Sequence, residues 1–418
     1  MTSCPVFAMY LWMQKFGSAA EVLISLCLIL LSGFLLTRLT KLLRLPNVTA
    51  YIFAGIIIGP GVLDLVPPEI ISGMSFISDI ALAFIAFGVG KFFKYNVLKK
   101  TGLKIAVTAL SESLLSGMVV AAAMRFIFRA DTGFSLLLGA IATCTAPTST
   151  MVTIRQYNAQ GPFVNALLQT VALDNVICLF IFSVVTSVAG VERTGPVLPA
   201  DVLLPIIFNL SAIAAGLLCG LILSRIITPS RSKDNRLIIV VAMLAGLSGL
   251  CSVMGISPLI SCMIFGTAYI NLTNDKVLYR QLNNFIPPVM SMFFIFSGMN
   301  LKLLYLTSFG LTGLAYFVFR IAGKYAGAYL GGLFCKAPKP IRNNLGFALI
   351  PQAGVAIGIA FLGQRLLPPN IGDVLLAVIL SSSILYEIVG PISAKAALYR
   401  SGAIKKIKRP ATAGRRSP

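Results

Sequence analysis

Two proline-centred stretches decide how this chain folds: Ala142-Thr-Cys-Thr-Ala-Pro-Thr-Ser-Thr150 and Ala348-Leu-Ile-Pro-Gln-Ala-Gly-Val-Ala-Ile-Gly358. Each lies inside a long apolar run and surrounds its proline, Pro147 or Pro351, with small and polar residues. Because proline removes a backbone donor and disrupts a helix, each stretch predicts a helix that is interrupted halfway. An ordinary proline kink would explain one such stretch, since membrane helices tolerate kinks. Two such stretches in one chain are less readily explained in this way.

The composition is that of a membrane protein. The chain has 418 residues, of which 57% are hydrophobic and 11% charged, whereas a soluble domain carries about 25% charged residues. Apolar runs of about twenty residues, the length that spans a bilayer, follow one another from Glu21 to Arg400. We therefore predict an all-α polytopic membrane protein with about thirteen transmembrane helices.

The two interrupted helices are the fifth and the twelfth of these predicted spans. An odd offset means that they cross the membrane in opposite directions. Paired interrupted helices in corresponding positions of two halves are typical of transporters with inverted repeats, whose binding site lies at the bilayer midplane. We therefore expect two crossed broken helices, with Thr145, Thr148 and Gln352 close to the crossing.

The basic residues alternate along the chain. The net charge is +21, but the lysines and arginines lie in the gaps between apolar runs, which indicates topology rather than binding to nucleic acid. We predict an N-terminus outside, a cytoplasmic C-terminus and a basic cytoplasmic tail at 401–418. The gaps rich in Lys and Arg are at 38–44, 91–104, 155, 225–236, 276–280 and 336–342.

Several kinds of chemistry are disfavoured by what the sequence lacks. The chain has no histidine, and its eight cysteines form no C-x-x-C motif. The cysteines are therefore interpreted as small hydrophobic residues, and we expect no cofactor. Without a visible nucleophile–base set or metal cluster, an enzyme is not expected.

A few charged residues lie inside predicted spans, where a charge is costly and usually marks an ion path or proton relay. Asp174 is in the middle of a span and needs a cationic partner, for which Lys324 is the best candidate. A static ion pair that fixes packing is the plainer alternative. Arg320 lies one helical turn from Lys324, and we expect it to pair with Glu112 or Glu387. Both of these glutamates are interpreted as structural, Glu387 at a helix end.

Together these segments resemble the monovalent cation:proton antiporter superfamily, in its bacterial sodium/proton or potassium/proton exchanger type. The resemblance covers nearly the whole chain. It is carried by PNVTAYIFAGIIIGP (46–60), TCTAPTST (143–150), ALDNV (172–176), RIAGK (320–324), LIPQAGVAIG (349–358) and YEIVGP (386–391).

The resemblance implies a single transporter unit, here 1–400, in which a core domain moves against a dimerisation domain in a homodimer within the lipid bilayer. It implies alternating access, with a cation and a proton competing for one carboxylate site. Asp174 matches the first residue of the family's acidic pair, which pairs with the basic residue at Lys324. Asn175 occupies the second position, which is normally the ion-binding Asp.

We therefore predict exchange of Na⁺ or K⁺ for protons across the cytoplasmic membrane. Asp174 would bind either ion, and oxygens of Asn175, Thr145, Thr148 and Gln352 would complete the shell. Because Asn175 carries no titratable proton, exchange of one proton per cation, without net charge movement, is expected. Two alternatives remain: a transport-inactive sensor or regulator that keeps the fold, and an organic-anion symporter of similar fold.

Overall fold

The structure, a computed structural model, describes residues 18–42, 47–91, 93–189, 199–228, 231–254, 258–301 and 303–404, which are almost entirely helical. The helices of this part of the chain are α1 (Ser18–Leu42), α2 (Asn47–Ile58), α3 (Pro68–Gly73), α4 (Ser75–Gly90), α5 (Tyr95–Ala122), continued by a π-helical turn (Ala123–Ile127), α6 (Thr132–Ala142), α7 (Pro147–Gln156), α8 (Pro162–Ala189), α9 (Pro199–Ile226), α10 (Lys233–Val253), α11 (Pro258–Thr273), α12 (Lys276–Met299), α13 (Leu303–Phe334), α14 (Lys339–Ala348), α15 (Gly354–Leu366) and α16 (Pro369–Arg400).

The residues at several helix N-termini explain why those helices begin where they do. Proline occupies the first position of α7 and α16, where its missing N–H would have no helical partner in any case. Asp131 caps α6 by accepting hydrogen bonds from the backbone N–H groups of Gly133 and Phe134, at 2.7 and 3.3 Å. Asp275 caps α12 in the same way. These caps satisfy backbone donors that a helix leaves free at its start.

The chain is a multi-pass membrane protein. Within the described residues, 7 helices are long and apolar enough to cross a membrane. Large apolar side chains such as Leu23, Leu35 and Leu218 are exposed on the outer faces, as expected where lipid replaces water. The total of thirteen spans stays a prediction.

The helices pack in two groups. In the first, called here the crossing group, α13 lies along α5, α8 packs against α5 and α6, and α16 packs against α13, α14 and α15. In the second, called the flanking group, α4 and α9 pack against α11, and α12 packs against α2. Helix α9 of the flanking group also contacts α8. Both interrupted helices belong to the crossing group.

Close approach of α13 to α5 depends on glycines spaced four residues apart. A Cβ atom on Gly323 would lie 2.7 Å from the Cα atom of Ser116, and one on Gly327 would lie 2.6 Å from the Cα atom of Glu112. Residues spaced by four share one face of a helix. This face brings α13 into backbone contact with α5, so residues beside the glycines on α13 can reach Glu112.

Only the first residues of the predicted basic tail at 401–418 belong to the described part of the chain. Residues 401–404 are described, and the carbonyl of Ala403 accepts a hydrogen bond from the backbone N–H of Gln160 at 3.2 Å. These first residues therefore fold back onto the turn before α8. The rest of the predicted basic tail, like the N-terminus, lies outside the described residues.

Candidate functional site

The two interrupted helices meet at their breaks. Helix α6 ends at Ala142 and α7 begins at Pro147, while α14 ends at Ala348 and α15 begins at Gly354. The backbone N–H of Ala146 donates to the carbonyl of Pro351 at 2.9 Å. Both predicted interruptions, and their crossing, are therefore confirmed.

Gln352 joins the crossing from the second break. Its Nε2 donates to the carbonyl of Ile141 at 2.8 Å, and its Oε1 lies 3.1 Å from the Tyr316 hydroxyl, which can donate to it. Through these hydrogen bonds the side-chain amide links the second break to the end of α6 and to α13. Its predicted role as a ligand of a cation stays a prediction. The side chain of Thr148, the other expected neighbour, lies outside the described part of the chain.

Arg320 links the breaks from α13. Its guanidinium donates to the carbonyls of Ala142, Cys144 and Ile350, at 2.9, 2.6 and 2.8 Å, and lies over the ring of Tyr386 with 4.7 Å from Cζ to the ring centroid. The carbonyl ends of two helix halves carry partial negative charge, which a fixed guanidinium neutralises. The prediction that Arg320 pairs with Glu112 or Glu387 is wrong, because backbone carbonyls satisfy its donors.

Lys324, one turn further along α13, pairs with two carboxylates. Its Nζ lies 3.1 Å from Asp174 Oδ2 and 2.5 Å from Glu112 Oε1, and all three side chains are fully buried. The same nitrogen donates to the carbonyl of Thr143 at 2.6 Å and to Thr145 Oγ1 at 3.0 Å. The predicted contact between Asp174 and Lys324 is present in the structure.

The presence of Glu112 beside Lys324 is the main addition to the predicted site. The neighbouring Ser113 lies between the acids, with its Oγ 2.9 Å from Asp174 Oδ1 and 3.2 Å from Glu112 Oε2. A hydroxyl has one hydrogen and can donate to only one of the two at a time. From the sequence, Glu112 is interpreted as structural. It does tie α5 to α13, but it does so inside the charged centre.

Thr145 and Asn175 complete the polar surroundings of Asp174. The Thr145 hydroxyl donates to Asp174 Oδ2 at 2.8 Å. The Asn175 Nδ2 donates to the carbonyls of Thr145 and Val171, at 3.1 and 2.7 Å. Its Oδ1 is buried and accepts no hydrogen bond from the described residues. A buried carbonyl oxygen without a donor is an available ligand for a hard cation.

Glu387 lies apart from this centre, on the wall of a cavity of about 590 Å³ between the two groups of helices. Asn47 and Phe294 of the flanking group and Pro147 and Gly354 of the crossing group line the same cavity. The expected position at a helix end is wrong, because α16 continues to Arg400. The carboxylate instead borders a space that reaches the starts of α7 and α15.

The buried centre has an unequal number of charges. Glu112 and Asp174 supply two carboxylates, and Lys324 supplies one ammonium group. If all three are ionised, the centre carries one net negative charge, and an uncompensated charge inside a membrane protein is costly. One bound monovalent cation or one bound proton would remove that charge. The site is thus suited to hold either ion.

Crossed broken helices with buried charges at the crossing define a class, the secondary transporters with helices interrupted at the midplane. Residues 25–396 match the family described as sodium/hydrogen exchanger, transmembrane, and the chain belongs to that family.

Two solved structures share the fold. The sodium proton antiporter MjNhaP1 from Methanocaldococcus jannaschii at pH 8 aligns with a TM-score of 0.75 at 19% identity, covering 91% of this chain and 99% of that chain. The electron-microscopy structure of the same antiporter aligns with a TM-score of 0.71 at 18% identity, covering 92% and 98%.

Among curated proteins, Cation/H(+) antiporter 17 from Arabidopsis thaliana is 23% identical over 372 residues. The alignment covers 82% of this chain and 44% of that protein. The chain therefore spans less than half the length of this relative.

Proposed function

We propose that this protein exchanges a monovalent cation, Na⁺ or K⁺, for protons across the cytoplasmic membrane. The observation that carries the proposal is the buried centre of Glu112, Asp174 and Lys324 at the crossing of two broken helices. The family match supports it, as do the names of the relatives, which describe sodium proton and cation/H⁺ antiport.

The cation would bind among the oxygens around Asp174. Carboxylate oxygens of Asp174 and Glu112, the Thr145 hydroxyl and the free Oδ1 of Asn175 form an oxygen set of the kind that hard cations prefer. Lys324 occupies part of this space in the empty site. When the cation enters, the ammonium group can keep its bond to the Thr143 carbonyl while its contact with Asp174 is lost.

One cation would be exchanged for one proton. The empty centre with all groups ionised carries one negative charge, and it becomes neutral with one cation or with one proton. Both loaded forms then cross the membrane with the same net charge. We therefore propose electroneutral exchange, for a reason that differs from the sequence argument: Glu112 supplies a second acid, and Lys324 balances it.

Access would alternate through movement of the crossing group against the flanking group. In the arrangement described here, the cavity bordered by Glu387 lies between the groups and reaches the starts of α7 and α15. With the predicted topology this cavity opens to the cytoplasm. The flanking group would form the contact between the two subunits of a homodimer, since α9 carries exposed apolar side chains and α1, which packs against α2, carries others.

Purified protein in proteoliposomes with a preset pH gradient tests this function. Addition of sodium, potassium or lithium chloride should collapse the gradient for at least one cation, with choline chloride as the control. A gradient that persists with every cation, while an added ionophore still collapses it, would contradict antiport.

The second candidate is a transport-inactive sensor that has kept the fold. The observation in its favour is Asn175, whose amide takes the place of the usual acid and is bonded to two backbone carbonyls. Cation binding without gradient collapse in the same liposomes would favour this candidate. An organic-anion symporter is less well supported, because Arg320 and Lys324 are both already occupied by carbonyls and carboxylates.

A further inference from the structure

A second cavity, of about 730 Å³, lies between α4, α7 and α12 and is lined by five basic side chains. Lys91 and Lys94 follow the end of α4, Arg155 is in the last turn of α7, and Lys276 and Arg280 are in the first turns of α12. These residues come from three separate gaps of the sequence, at 91–104, at 155 and at 276–280. The structure brings all three gaps to one concave surface.

The charges in this basic cavity are not balanced by its lining, which contains no carboxylate among the described residues. Asp275 precedes Lys276, but its carboxylate has other partners. It lies 3.5 Å from Arg236 Nη1, accepts a hydrogen bond from the Tyr269 hydroxyl at 2.9 Å and caps α12. The cavity therefore presents a concentrated positive field.

Two of the basic groups, Lys91 after α4 and Arg155 on α7, come from different groups of helices. Lys91 is partly buried, and burial together with the charge of Arg155 lowers the pKa of Lys91. The charge of Arg155 thus disfavours the charged form of Lys91, and an anion bound between them would favour it. Asn283 and Asn284 on α12 add amide donors to the same lining.

The positive-inside rule accounts for the side of the membrane on which basic residues lie. It does not require them to converge. A rule of topology is equally satisfied by lysines and arginines that point outward into water, as the exposed Arg231 and Lys233 do. Five cations that face one cavity need a further reason.

We propose that the basic cavity is a binding site for an anion that carries one or more phosphate groups, and that the anion bridges the crossing group and the flanking group. Arg155 would bind it from the crossing group, and Arg280, with the lysines, from the flanking group. Arginine and lysine side chains are the usual phosphate ligands, and the planar guanidinium can make two parallel hydrogen bonds. The volume is in the range of small-ligand pockets.

The same chemistry can come from two sources, a soluble phosphate compound or the headgroup of an anionic lipid. One arm of the experiment, called the soluble arm, tests for a soluble anion: the full-length protein in uncharged detergent is titrated with inorganic pyrophosphate and with ATP at constant ionic strength. The other arm, called the lipid arm, tests for a headgroup: the protein is reconstituted in nanodiscs with or without phosphatidylglycerol, and the retained lipid is measured by native mass spectrometry. Neither arm requires transport, so the site can be tested even if antiport fails.

Arg155→Gln and Arg280→Gln test the bridge, with Arg231→Gln as the matched control on an exposed arginine outside the cavity. A charge-assisted hydrogen bond contributes enough that loss of either arginine should weaken binding at least about tenfold. Arg231→Gln should bind as the wild type does. The folded state of each variant is checked by gel filtration and circular dichroism.

A tenfold loss in both arginine variants in the soluble arm identifies a soluble anion, and the same pattern confined to the lipid arm identifies a headgroup. Equal binding by wild type and both variants, or binding of neither probe by the wild type, would overturn the site. A loss in Arg280→Gln with none in Arg155→Gln would overturn the bridge.

A bridging anion also has a consequence that rests on the proposed function. If the two groups must move for exchange, an anion that joins them should slow exchange in wild-type liposomes but not in the Arg155→Gln variant. Exchange slowed equally in both would show that the anion acts elsewhere.

Discussion

At the scale of single residues, the sequence was sufficient to predict the contact between Asp174 and Lys324, because a charge in an apolar span is conspicuous. It was not sufficient to place Glu112 beside them. Glu112 lies among serines in SESLLSG, where it could as well face another helix. Arg320 was assigned to the wrong partner for a related reason: sequence shows side-chain charges, but not the free carbonyls that a broken helix exposes.

Asp174→Asn should abolish cation-dependent collapse of a pH gradient. The amide can still accept hydrogen bonds from Ser113 and Thr145, and Glu112 still balances Lys324, so the variant should remain folded. The exposed Asp234→Asn is the matched control and should transport normally. Wild-type exchange by Asp174→Asn in proteoliposomes would show that the wrong carboxylate has been assigned.

Glu112→Gln should also stop exchange while the protein stays folded. Removing this charge leaves Asp174 and Lys324 as a balanced pair, so the empty site no longer needs a cation or a proton. The measurement is the same gradient assay, with the exposed Glu69→Gln as control. If Glu112→Gln exchanges ions at the normal rate, Glu112 is structural, as the sequence alone suggested.

Lys324→Met should destabilise the protein, because it leaves two buried carboxylates without their cation. Loss of one partner from a buried ion pair typically costs about 3–5 kcal/mol. Adding Glu112→Gln to Lys324→Met should recover part of that loss, since only one acid remains. Thermal unfolding of the single and double variants in detergent measures this coupling, and strictly additive effects would contradict a shared centre.

At the scale of helices, the glycine face of α13 is as important as the charges. Gly323, Gly327 and Gly331 are spaced by four in RIAGKYAGAYLGG, and this spacing is readable in the sequence. What cannot be read is the helix that they face. The structure identifies α5, with Ser116, Glu112 and Thr108 opposite the three glycines, and this contact is what brings Lys324 to Glu112.

Gly327→Ala should therefore separate α13 from α5. The added Cβ would lie 2.6 Å from a backbone atom of Glu112, which cannot move aside as a flexible side chain can. We expect a lower unfolding temperature and impaired exchange. Gly246→Ala is the matched control, because a Cβ at Gly246 meets nothing within 4 Å. Equal stability of the two variants would show that the helices can adjust.

At the scale of the whole molecule, the sequence predicted the broken helices and their crossing because proline, small residues and the odd offset of the two spans all indicated the same arrangement. It could not predict the cavities. The basic cavity unites residues from three distant gaps, and the Glu387 cavity lies between groups of helices that interleave along the chain. Such spaces follow from tertiary packing, which one sequence does not specify.

The proposed one-for-one exchange predicts that voltage does not drive transport. A membrane potential of about 100 mV is worth about 2.3 kcal/mol for each charge moved, so electrogenic exchange would respond strongly. Cation jumps on a solid-supported membrane should give no sustained current. A cation-specific current that reverses with voltage would rule out the proposed stoichiometry and indicate that a further acid, such as Glu387, carries a proton.

The two buried cationic side chains of α13 also affect how this helix is inserted into the membrane during synthesis. A single Arg or Lys at the centre of an inserting helix costs about 2.5–3.5 kcal/mol, and α13 carries both Arg320 and Lys324. Most of their partners lie earlier in the chain, namely Glu112, Asp174, Thr145 and the carbonyls of the first break, whereas the Ile350 carbonyl and the Tyr386 ring come later. When α13 leaves the ribosome, the earlier partners have already been synthesised. Integration of α13 into the bilayer should therefore depend on the helices that precede it.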